Sequence, residues 1–168
     1  MSALPELVRL ADHIGAAVNL APDAMAREIQ AALVEATAKT GWLPPERRRV
    51  THDNYARHLL YGDQQGRFSI LAIVWDHGQM SPIHGHHCWC AVGVYLGELT
   101  ESRYSEEAGV PRLLESRRRA ARTLSFDAAG EGIHRLGNDS GSVAISLHVY
   151  GVAKERISTH VNRIFPTG

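Results

Sequence analysis

At Leu43-Pro44-Pro45 the spacing of the apolar residues changes period, and the break separates two kinds of structure. Before it, Leu4, Leu7, Val8, Ala11, Ile14 and Val18 recur every three or four residues, as one face of a helix requires. Pro22 suits the first turn of a second helix, where its missing N–H costs nothing. Met25, Ile29, Ala32, Leu33 and Ala36 supply the buried stripe of that helix. Gly41 stops it and the paired prolines forbid continuation. After the break, short β-branched and aromatic runs cover residues 55–61, 68–75, 89–96 and 143–150, the last being the final clear strand. Glycine-containing turns separate these runs, and no further helix is expected between them. Many short strands with regular turns predict an all-β sandwich or barrel. The expected organisation is one domain over residues 1–168, a helical arm over 1–45 packed on a β-barrel over 50–165.

A chain of 168 residues has room for one substantial hydrophobic core. Eighteen Lys and Arg balance eighteen Asp and Glu, so the formal net charge is zero. That argues against a nucleic-acid partner, which would be met by a basic stripe, and against docking to anionic lipid. The one basic run, Arg117, Arg118 and Arg119 followed by Arg122, reads as a solvated face. There is no leader and no apolar stretch of about 18 residues, so neither a signal peptide nor a membrane span is expected. The two cysteines, Cys88 and Cys90, lie too close in the chain for an unstrained disulfide. A reduced, cytoplasmic protein is the expectation, monomeric or weakly homo-oligomeric.

Histidine is over-represented for a chain of this length, with ten residues, and His84, His86 and His87 crowd together. Alternate residues of a strand share a face, so His84 and His86 aim into one space while Gly85 and His87 face away. Two imidazoles make half a metal site, and a third ligand must come from another strand. On this pattern alone, a pair of ordinary polar histidines is an equal reading.

The surrounding spacing adds to the pair. Gly78, His84-x-His86, Cys90 and Gly97 resemble the first motif of the cupins, with Cys90 where a glutamate is usual. His134 followed by Asn138 resembles the second cupin motif, without its usual Pro-x-Gly. The resemblance implies a mainly β fold, a cupin double-stranded β-helix barrel (jelly roll) carrying the N-terminal helical arm. Three neutral imidazoles without a carboxylate leave Fe(II) its full charge and open positions for an anionic donor and O₂. A tetrahedral Zn(II) site also uses three histidines.

Further residues narrow the resemblance. Tyr55 and Arg57 lie two apart before the barrel core, and Ser146, His148 and Tyr150 share one face of one strand. With the three histidines and Cys90, the chain from about Tyr55 to Gly151 resembles the thiol dioxygenases of the cysteine dioxygenase type, in a bacterial-like form. The resemblance implies one Fe(II) per chain held by His84, His86 and His134, with O₂ as co-substrate. It implies that Arg57, with Tyr55 beside it, takes the carboxylate of a small-molecule thiol. It implies that Ser146 and His148 orient the Tyr150 hydroxyl near the metal. Cys90 falls where animal members carry the cysteine of a Cys–Tyr thioether, so a Cys90–Tyr150 crosslink is a hypothesis of the resemblance.

The implied activity is oxidation of a thiol to its sulfinic acid, a step of sulfur metabolism. L-Cysteine is the favoured substrate, because members that oxidise 3-mercaptopropionate carry glutamine at the Arg57 position and an arginine nine residues beyond the tyrosine. Thr159 stands at that second position here. Gly151-Val152 replaces the Ser-Pro-Pro of animal cysteine dioxygenases, as in mercaptopropionate-type members, and 3-mercaptopropionate or mercaptosuccinate is the alternative substrate. More remote alternatives are another metallo-cupin enzyme and a non-catalytic cupin that binds a small molecule. His52, His58, His77 and His87 are read as surface or packing residues, and Cys88 as packing.

Overall fold

The computed structural model describes residues 4–166, so the first three residues of the expected arm and the last two of the chain lie outside the described residues. Two antiparallel helices come first, α1 (Pro5–Ala17) and α2 (Pro22–Ala38), each with proline in its first turn. Beyond α2, Gly41 takes a φ of +90°, a conformation that favours glycine, and its N–H donates to the Tyr95 hydroxyl at 2.7 Å.

Among the described residues ten strands follow: β1 (Ala56–Gly62), β2 (Ser69–Trp75), β3 (His84–His86), β4 (Cys90–Leu96), β5 (Glu98–Glu107), β6 (Val110–Ala120), β7 (Leu124–Asp127), β8 (Ile133–Gly137), β9 (Ala144–Tyr150) and β10 (Asn162–Ile164). They form two five-stranded antiparallel sheets, ordered β1-β2-β9-β4-β7 and β10-β3-β8-β5-β6. This is the expected jelly-roll barrel with helices at its N-terminal end.

The central strands β2, β9 and β4 of the first sheet are buried on both faces, which explains why β2 and β9 read as continuous apolar runs. Ile70, Ala72 and Val74 of β2, with Ile145, Leu147 and Val149 of β9, face the helices and pack against Ile14, Ile29 and Leu33. The alternate residues Leu71, Ile73 and Trp75, with Tyr150, face the barrel interior beside Val92 and Leu136. The helical arm is thus the cover for the outer face of one sheet. A Cβ at Gly93 would lie 3.1 Å from Thr37 of α2 and 3.0 Å from Leu124, so the close approach of α2 to β4 suits a glycine there.

Two expectations need correction. Among the described residues no helix lies between β1 and β9, as expected, but beyond β9 short helical segments at Lys154–Arg156 and Ile157–His160 lead into β10, which lies past the strand read as the last clear one. Segments of three or four residues are shorter than any window in which periodicity can be seen. The second correction concerns Arg119. Arg117 and Arg118 are exposed and pair with Glu115 and Glu98, but Arg119 is largely buried on Glu101.

Candidate active site

The short strand β3 carries His84 and His86, and β8 carries His134 directly opposite His84 in the ladder. All three imidazoles are buried, and one ligand atom from each lies within 4.8 Å of the others. Burial, with His134 close by, pushes His84 down to about 4 and His86 down to about 2. Both rings are therefore neutral nitrogen donors near pH 7, the form a metal ion needs.

Each ring is oriented by its surroundings. His84 Nδ1 donates to the Pro82 carbonyl at 2.9 Å, which leaves Nε2 for a ligand. His134 Nδ1 donates to Glu101 Oε1 at 2.8 Å. Glu101 also accepts from Arg103 at 2.8 Å, while Arg119 closes a fork on its other oxygen at 2.6 and 2.8 Å. Burial alone would raise the Glu101 carboxyl, but the His134 hydrogen bond and the two guanidinium groups draw it down to about 2. Arg103 goes on to Asp127 at 2.6 Å. Glu101 therefore stays an anion that fixes His134 in one orientation, a carboxylate–histidine arrangement typical of metal ligands. The chemistry of this donor set, three buried imidazoles with two Nδ1 atoms already engaged, fits a bound transition metal. His86 Nδ1 is buried without a partner among the described residues, and so is Oδ1 of Asn162, its directly paired neighbour on β10.

Opposite the histidines, β9 presents Ser146, His148 and Tyr150 on one face. Ser146 Oγ lies 2.8 Å from His148 Nε2, and the Tyr150 hydroxyl lies 3.1 Å from His148 Nδ1. Burial lowers the His148 pKa and raises that of Tyr150, so both are held neutral. Trp75 donates its indole N–H to Ser146 Oγ at 2.9 Å and stacks on Tyr55 with ring centres 4.5 Å apart.

A small cleft is lined by Tyr55, Arg57, Trp75, Ser81, His84, His148, Tyr150 and Asn162, while His86, His134 and Ser146 lie outside its lining. Arg57 is exposed at its rim and has no ion pair among the described residues. Cys90 does not line the cleft. It sits behind it on β4 as the direct cross-strand neighbour of Tyr150, with its thiol pushed up by burial. Thr159 is exposed and its hydroxyl bonds to the Arg156 carbonyl, away from the cleft.

The architecture and the site agree with one family. Residues 25–163 match the family described as Cysteine dioxygenase type I. The chain belongs to that family. Membership supports a metal-dependent dioxygenase acting on thiols, and the three-histidine cluster is compatible with its metal. Solved structures are similar in fold. One is an uncharacterised conserved protein with a double-stranded β-helix domain from Klebsiella pneumoniae, at 15% identity and a TM-score of 0.52, covering 73% of this chain and 93% of that one. Another is a Cupin 2 conserved barrel domain protein from Salinispora arenicola, at 18% identity and a TM-score of 0.50, covering 72% and 98%.

Glu101, Arg103, Arg119, Trp75 and Asn162 were not singled out in the sequence reading as parts of a site. One signal was present for Glu101. Leu99-x-Glu101-x-Arg103 follows the alternation of an inward-facing strand stripe, and a carboxylate on such a stripe needs a buried partner. No membrane span interferes with this reading: among the described residues no helix is long and apolar enough to cross a membrane.

Proposed function

We propose that this protein is an Fe(II)-dependent dioxygenase that converts L-cysteine to its sulfinic acid, with His84, His86 and His134 as the iron ligands. The observation that carries the reading is a cluster of three buried histidines beside a neutral Ser146–His148–Tyr150 chain, with His84, His148 and Tyr150 lining one cleft that Arg57 borders. Iron bound there supplies the redox chemistry that joins a thiol to O₂.

The chain's own residues bind and orient. Arg57 offers a two-pronged donor to the substrate carboxylate, and Tyr55 holds the same side of the cleft. Tyr150, kept protonated by burial, supplies a hydrogen bond where negative charge gathers. A single guanidinium at the rim suits a monocarboxylate better than mercaptosuccinate. The unpartnered Asn162 Oδ1 favours cysteine over 3-mercaptopropionate, because only cysteine brings an amine N–H to satisfy it.

The direct ladder pairing of Cys90 with Tyr150 supports the crosslink as well. In that step a carbon–sulfur bond forms between the Cys90 sulfur and the Tyr150 ring. One hydrogen leaves each side chain, and O₂ is the oxidant. Intact mass two hydrogens lower, with the two peptides joined, is the expected result, and free Cys90 after many turnovers would remove the step.

The test of function is O₂ uptake by the iron-loaded protein against cysteine, 3-mercaptopropionate and mercaptosuccinate. Expected is one O₂ consumed per cysteine sulfinate formed. Iron bound stoichiometrically with no thiol-dependent uptake would overturn the reading.

A further inference from the structure

We infer that Trp75 is a positioning residue that sets the direction of hydrogen bonding through Ser146 and His148, so that the Tyr150 hydroxyl proton points into the cleft. The inference rests on the reading of Tyr150 as the group that donates toward the reacting thiol and O₂.

At one end of this hydrogen-bonded chain the direction is unambiguous. An indole N–H can only donate, and the Trp75 Nε1–H meets Ser146 Oγ at 2.9 Å. Ser146 is fully buried, and among the described residues its hydroxyl has one other side-chain partner, His148 Nε2 at 2.8 Å. A serine hydroxyl carries one proton. If His148 Nε2 were the donor, Ser146 would accept twice and its own proton would be buried with nothing to bond, at a cost of about 1–3 kcal/mol. Ser146 therefore donates to Nε2.

A neutral imidazole has one ring proton, so an accepting Nε2 places that proton on Nδ1. Burial holds the ring in its neutral form. Nδ1–H then donates to the Tyr150 hydroxyl oxygen 3.1 Å away. The phenol receives this bond in a lone pair and keeps its own proton free for the cleft it lines with His84 and Arg57. In the opposite order Tyr150 would spend its proton on His148 and show the cleft only lone pairs. Those would repel the electron-rich thiolate and dioxygen that the proposed reaction brings there.

Trp75 is itself held on several sides. Its side chain is 1% exposed, its ring lies against Tyr55, and its backbone carbonyl accepts from Asn138 Nδ2 at 2.9 Å. A fixed donor at the closed end of the chain thus decides which atom is offered at the open end.

The test is ¹⁵N NMR of histidine-labelled protein, metal-free and loaded with diamagnetic Zn(II), in the wild type and in Trp75→Phe. The phenylalanine keeps a ring against Tyr55 and removes the N–H donor together with part of the indole's bulk. In the wild type His148 is expected as the Nδ1–H tautomer. In Trp75→Phe that preference is expected to disappear, with signal moving toward Nε2–H. With iron, kcat for thiol oxidation is expected to fall by about 10-fold or more while KM stays within about 2-fold, as befits a misdirected donor. A wild-type Nε2–H tautomer, or an unchanged Nδ1–H tautomer in Trp75→Phe, would overturn the inference. A wild-type Nε2–H tautomer overturns it even if Trp75→Phe does not fold, and in that case Trp75→Tyr, which likewise lacks the indole N–H, takes the variant's place in the comparison. Absence of thiol oxidation in the wild type would sink the functional reading instead and leave the tautomer result standing.

Discussion

The two walls of the cleft are organised by different forces. The wall built from β3, β8 and β5 is held by charge: His134 leans on Glu101, Glu101 is gripped by Arg103 and Arg119, and Arg103 reaches Asp127. The wall built from β2 and β9 is held by neutral groups: Trp75, Ser146, His148 and Tyr150 form a chain without one formal charge. Each arrangement matches its task. A metal ligand benefits from a buried carboxylate that fixes its tautomer and makes it a better donor. A hydroxyl that must offer a proton has to remain protonated, and a dry neutral chain keeps it so. The charged wall should therefore govern metal affinity, and the neutral wall turnover and substrate choice.

The strongest way to break this division is to remove a ligand from the charged wall. His134→Ala is expected to reduce bound iron from one per chain to none, measured by elemental analysis, and to abolish O₂ uptake. Full iron and full activity in that variant would mean that the metal is not held there. Next in size is Glu101→Gln, which keeps the shape but removes the anion between His134 and the two arginines. Metal affinity is expected to fall about 10- to 100-fold, by titration against a competing chelator. An unchanged affinity would reduce the ion-pair group to a structural role and dissolve the contrast between the walls.

A smaller effect is expected from Asn162, which stands beside the histidines yet belongs to neither network. In Asn162→Leu the acceptor is gone and the bulk is kept. The ratio of kcat/KM for cysteine to that for 3-mercaptopropionate is expected to fall about 10-fold, the worth of one hydrogen bond near charge. An equal loss for both thiols would show that Asn162 serves the metal site and not the amine.

The neutral wall was more legible in the sequence than the charged one, and the reason is geometric. Ser146, His148 and Tyr150 lie on one strand, where period-two alternation alone places them together. His84 and His86 are a local pair for the same reason. Glu101, Arg119 and His134 come from β5, β6 and β8, and only the ladder registers bring them into contact. Arg119 lies in a run with Arg117 and Arg118 that looks uniformly solvated, and nothing local distinguishes the one that turns inward. Asn162 depends on β10, three residues long and preceded by one helical turn, which no pattern announces. The direction of hydrogen bonding from Trp75 likewise needs the side-by-side pairing of β2 and β9.

The smallest expected effect falls at the join between the neutral wall and the surface. Gly151 follows Tyr150 directly, and its N–H donates to the Trp89 carbonyl at 3.0 Å. A Cβ at this position would collide with the nitrogen edge of the Trp89 indole, at Nε1, Cε2 and Cδ1, and that ring in turn stacks on Phe126 with ring centres 6.0 Å apart. The glycine thus admits Trp89 against the backbone beside Tyr150, and any side chain there must push the indole off Phe126 or shift β9. Gly151→Ala is expected to cost about 1–3 kcal/mol of stability, the usual range for overpacking, and to lower Tm by roughly 3–9 °C. Because the strain enters through the neutral wall, metal affinity in the folded variant should stay at the wild-type value while turnover falls with the placement of Tyr150. Calorimetry and chelator titration on the same preparation separate the two effects. A loss of metal affinity as large as that in Glu101→Gln would show that the walls are mechanically coupled, and their division of labour would then be one of chemistry and not of structure.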